Sequence, residues 1–113
     1  NDKLIETDKK IVELMERYQN INIDDTKQWS NQAAFFIRQL WNMLVLARVI
    51  TIGALNRNES RGAHYKPEFP DRNDEEWLKT TKAYFDGPLE APKFEYEDVD
   101  VSLIPPRVRD YSK

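Results

Sequence analysis

The chain has 113 residues and a formal net charge of −3, with 33% charged and 40% hydrophobic residues, which suits one water-compatible domain with a modest core. That acidic balance argues against a phosphate-binding surface, so nucleic acid is not an expected partner. With no cysteine there is no disulfide frame, thiolate metal site or thiol nucleophile, and the three isolated glycines, Gly53, Gly62 and Gly87, cannot compose a G-x-G-x-x-G turn or a P-loop.

The amino end, NDKLIETDKKIVELMERY, has no initiator Met, basic n-region or apolar h-region. It reads as a cut through a longer polypeptide and not as a signal peptide. From Asp2 to Tyr18, the apolar residues Leu4, Ile5, Ile11, Val12, Leu14, Met15 and Tyr18 recur at helical spacing, predicting an amphipathic helix with one buried stripe. Glu6 with Lys10 and Glu13 with Arg17 stand at i,i+4 on the solvent side. The segment 20–30 lacks periodicity and is predicted to be a loop. Ser30 or Asn31 is the expected N-cap of the next helix, and Ile21, Ile23 and Trp29 are expected to fold back on the bundle end.

Residues 31–56 are the dominant helix. Asn31, Arg38 and Asn42 share a narrow sector with Gln32 and Gln39 beside it, and about two-thirds of the circumference is apolar by the 100° rotation per residue. About 20 apolar residues would span a bilayer, but Arg38, Gln39, Asn42 and Arg48 interrupt this run, so direct membrane insertion is not expected. A helix this greasy is for packing. The first helix is too narrow to cover it, which calls for a third helix from outside the chain.

Beyond it, Pro67 and Pro70 forbid regular helix and Gly62 offers a position where φ is free to be positive. Asp71, Asn73 or Asp74 can cap one short turn through Glu75, Glu76 and Trp77. Thr80 to Phe85 and Lys93 to Val101 alternate around Asp86-Gly87-Pro88, predicting a two-stranded hairpin. Ile104 to Tyr111 is expected to be extended and polyproline-like. The predicted fold is therefore mainly α: two long antiparallel helices of an incomplete three-helix bundle over residues 1–58. A proline-rich loop, a short helix, a hairpin and an extended tail fill residues 59–113.

His64 is the one histidine, and no second His, Cys or triad-forming Ser accompanies it, so a structural hydrogen-bonding role is favoured over catalysis or metal ligation. Glu59, Arg61, Asp71 and Arg72 crowd one loop. They could clamp a carboxylate substrate through a bidentate arginine, but an internal network that ties the loop to the helix end is the preferred reading. Phe35, Phe36, Leu40, Trp41 and Leu44 are candidates for a domain interface.

The runs Leu40-Trp41-Asn42-Met43, Ala47 to Leu55, Arg57-Asn58-Glu59-Ser60-Arg61-Gly62-Ala63-His64, Phe69-Pro70-Asp71-Arg72-Asn73-Asp74-Glu75 and Trp77-Leu78 carry a resemblance. Together they resemble the C-terminal domain of the succinate dehydrogenase / fumarate reductase flavoprotein subunit, in its bacterial succinate dehydrogenase branch. The resemblance implies a three-helix bundle with an extended tail, docked on a large flavin-binding domain. It also implies a parent enzyme that oxidises succinate to fumarate with a covalently bound FAD, passing electrons to an iron-sulfur subunit and a quinone on the cytoplasmic face of the bacterial inner membrane. The family's catalytic and flavin-linking residues match nothing here, so no catalytic, cofactor-binding or metal residue is expected in this stretch and the piece alone should be inert. Glu59, Ser60, Arg61, Gly62, His64, Asp71 and Arg72 fall on the family motif, with a structural or docking role expected. L-aspartate oxidase and fumarate reductase are alternatives within the superfamily. The tail through Phe94-Glu95-Tyr96-Glu97 and beyond favours succinate dehydrogenase. A free-standing helical interaction module is the alternative of another class, and self-association through the apolar face is expected of either.

Overall fold

The computed structural model describes residues 1–107. Helix α1 spans Asp2–Tyr18 and helix α2 spans Gln32–Asn56, followed by the four-residue α3, Asp74–Trp77, and strands β1, Lys79–Tyr84, and β2, Lys93–Asp98. No other long helix is present among the described residues. The two long helices run antiparallel. Tyr18 stacks on Trp41 with ring centroids 5.1 Å apart, Met15 and Ile11 pack with Leu44, and Asp8 meets Arg48, so partners on α2 rise in number as those on α1 fall.

The core along this seam is small: Ile11, Met15 and Leu44 are buried, with Leu14, Tyr18, Trp41, Val45 and Ala47 packed around them. Arg48 is buried too and joins three elements. Its Nε donates to Asp8 Oδ1 at 3.1 Å, and its Nη1 donates to the carbonyls of Leu89 and Glu90 at 2.7 and 3.0 Å. A residue that looks in sequence like an interruption of the apolar run thus ties the tip of the hairpin to both helices. Buried Thr51 returns its hydroxyl to the Ala47 carbonyl at 2.8 Å and adds no unpaired polar atom to the seam.

Caps set the helix limits. Asn31 begins α2 by accepting from the Ala34 amide at 3.0 Å, and its Nδ2 donates to the Asp25 carbonyl at 2.7 Å, pinning the connection to the helix start. Ser30, just before it, takes φ of 56°. Asn73 caps α3 in the same way through the Glu76 amide. The hairpin pairs Lys79 with Asp98 through to Tyr84 with Lys93. β2 stops three residues short of the predicted Val101 because Asp98 already faces the first residue of β1. One hairpin face, with Thr81, Ala83, Phe94 and Tyr96, lies toward α2 and α3: Phe94 approaches Gly53 and Tyr96 meets Trp77 edge-on at 5.5 Å.

Three details differ from the sequence reading. Trp29 does not fold back on the helix ends but is 85% exposed. Lys10 pairs with Glu13 at 2.7 Å and not with Glu6. Ile104, expected to begin the extended tail, lies in a bend with Ser102 and Leu103, while the expected extended conformation of Val108 to Tyr111 lies outside the described residues.

Candidate docking site

With α1 on one side of α2 and the hairpin on a second, a third sector of the helix is left largely bare, bordered on the hairpin side by depressions that Leu46 and Ile50 help to line. Phe36, Met43 and Ile50, spaced by seven, lie on it together with Leu46, and the four are 60–71% exposed. Phe35 and Leu40 flank the stripe and are exposed as well. Leu44, placed on this face by the sequence reading, is buried against α1, and Trp41 packs on Tyr18, so both belong to the seam instead. The reason is geometric: α2 is apolar around most of its circumference, and periodicity cannot say which sector α1 occupies.

By length and composition α2 could cross a membrane, a test that core helices of soluble proteins also pass. Its buried arginine is ion-paired within the protein.

At the end of α2 the chain turns through the second part of the site, organised by Glu59. This carboxylate is fully buried, with 0% exposure. It accepts from Arg57 Nε at 2.8 Å, from Arg61 Nε and Nη2 at 2.8 and 2.9 Å, and from the Asn73 amide at 3.0 Å. Burial pushes its pKa up, but the hydrogen bonds from Arg61, Asn73 and Arg57 outweigh that, and the carboxyl sits below its ordinary 4.5. Arg61 in turn is held more firmly protonated by Glu59.

Arg61 Nη2 also reaches Asp74 Oδ1 at 2.6 Å, and Arg72 binds the other Asp74 oxygen while donating to the Arg107 carbonyl at 2.8 Å. Those two arginines, Arg72 first, hold Asp74 below the usual carboxylate range. Arg57 completes the set: it lies 5.5 Å from the centre of the buried Trp77 ring and donates to the Trp77 carbonyl at 2.6 Å and to Thr81 Oγ1 at 3.2 Å.

The network is therefore internal, built from Arg57, Glu59, Arg61, Arg72 and Asp74. A substrate carboxylate would find each of these arginines already engaged, which disfavours the clamp reading. Asp71 is not in the network through its side chain; its carbonyl accepts from the Ser60 amide at 3.1 Å. Arg57 and Asp74 take the places that spacing alone had not given them.

The E-S-R-G-x-H element is a tight turn. Arg61 and His64 exchange backbone hydrogen bonds of 2.9 and 3.0 Å, and Gly62 between them has φ of 59°, the left-handed region where a side chain would add strain. Ser60 Oγ accepts from the Lys66 amide at 3.0 Å and donates to the Phe69 carbonyl at 2.7 Å. His64 Nε2 lies 3.2 Å from the Arg57 carbonyl. Buried Lys66, which sequence reasoning passed over, sends its ammonium to the Leu55 carbonyl at 2.7 Å, the Ala54 carbonyl at 3.4 Å and Asn58 Oδ1 at 2.8 Å, capping the carbonyl end of α2. Burial pushes its pKa down from the ordinary lysine value.

No cluster of His, Cys, Asp and Glu suited to a metal occurs among the described residues. A flavin dinucleotide would need a glycine-rich turn opening onto a helix N-terminus. Here the start of α2 is filled by the Asn31 side chain, Gly53 is inside the helix, and Gly62 serves the turn just described. These residues do not fit that group.

Compared with known proteins, residues 1–111 match the family described as fumarate reductase flavoprotein C-term. The chain belongs to that family. This flavoprotein C-terminal domain is 72% identical over its whole length to 19% of the succinate dehydrogenase flavoprotein subunit of Bacillus subtilis (strain 168). It is 40% identical, over 98% of the chain and 16% of the relative, to the fumarate reductase flavoprotein subunit of Helicobacter pylori (strain J99 / ATCC 700824). Among solved structures, a mutant of E. coli quinol fumarate reductase FrdA superimposes with a TM-score of 0.86 and 32% identity, over 93% of this chain and 18% of that one. The domain thus spans about a fifth of the length of these relatives.

Proposed function

We propose that this domain docks on and stabilises the flavin-binding part of a succinate dehydrogenase flavoprotein, supplying no catalytic group itself. The parent enzyme oxidises succinate to fumarate with FAD held elsewhere in the polypeptide, and electrons pass to an iron-sulfur subunit and a quinone on the cytoplasmic face of the inner membrane. The 72% identity to the Bacillus subtilis subunit favours succinate oxidation over the fumarate reductase reading, whose cited relative stands at 40%.

The observation that carries this reading is the bare stripe of Phe36, Met43, Leu46 and Ile50. Covering it would contribute roughly 1–2 kcal/mol per side chain, or about 4–8 kcal/mol together. Free association costs about 4–15 kcal/mol, so such a stripe is too small to hold an independent partner tightly. Tethered within one polypeptide it suffices, because linkage raises the effective concentration of the two surfaces. That balance favours an intrachain partner, a third helix of the bundle together with the flavin domain, over a free-standing adaptor. It also limits self-association of the 113 residues through the same stripe to a weak equilibrium.

In the full-length flavoprotein, the double substitution Met43→Asp and Ile50→Asp should loosen the domain. Limited proteolysis should then release a piece near the 13.4 kDa of this chain, with loss of succinate oxidation. The same pair in the isolated 113 residues should leave helix content by circular dichroism unchanged, since both sites are exposed. A full-length double variant as protease-resistant and active as the parent would refute the proposal.

A further inference from the structure

We draw no further inference here: the strongest candidate, the apolar depression between α2 and the hairpin lined by Val45, Leu46, Val49, Tyr84 and Phe85, shares Leu46 with the face already proposed to dock, and nothing in the structure shows which group fills it.

Discussion

Replacing Glu59 by Gln changes one atom and keeps the side-chain shape, so its consequence can be followed bond by bond. Oε1 can still accept from Arg57 and Arg61. At the second position a carboxylate oxygen, which accepts from Arg61 Nη2 and the Asn73 amide, becomes an NH2 facing two donors. Two bonds to a charged group are lost, worth about 1.5–3 kcal/mol each, and two arginines are left without their shared counter-charge. The sum agrees with the roughly 3–5 kcal/mol seen when one member of a buried ion pair is removed.

For a domain of this size, with a urea dependence of about 1–3 kcal/mol per molar, the midpoint should fall by on the order of 2 M. Amide exchange at Asn73 should quicken by about two to four orders of magnitude, since 1.36 kcal/mol is tenfold. A midpoint shift under ~0.5 M with Asn73 protection intact would show that Glu59 does not organise the loop.

The pH dependence follows from the same group. Because the folded-state pKa of Glu59 lies below the ordinary 4.5, its stabilisation is fully present above that value and is lost as pH falls through the depressed folded value. Trp77 fluorescence should report an acid transition below pH 4.5, and Glu59→Gln should remove that component; an unchanged acid transition in the variant would assign it to other carboxylates. Lys66→Met should cost about 1–3 kcal/mol by uncapping the last carbonyls of α2, read as faster exchange of the amides in its final turn and a lower thermal midpoint. Equal stability would mean that water caps the helix as well as the ammonium does.

How far the sequence foretells the structure depends on the range of the interactions. Both long helices, the Asn31 cap, the short α3 and the hairpin follow from residues within one or two turns of each other, and all are present. The network around Glu59 was expected in kind but not in membership. Asp71 and Asp74 are equally plausible on spacing, and the local turn into α3 decides between them by presenting Asp74 to Arg61 and Arg72. Arg48 and Lys66 were illegible because their partners lie about 40 and 11 residues away and are mostly backbone carbonyls, which leave no mark on the sequence. Leu44 was misplaced, and Trp29 too, because apolarity specifies burial without specifying the neighbour.

Two methionines on different faces supply the most direct test of the docking claim. Met15 is 2% exposed in the seam with α2, whereas Met43 is 64% exposed in the stripe. Peroxide oxidation of each, followed by mass spectrometry, should find Met43 fast and Met15 slow in the 113 residues alone, and both slow in the full-length flavoprotein. If Met43 oxidises as fast in the full-length protein as in the isolated domain, its face is not the one that docks.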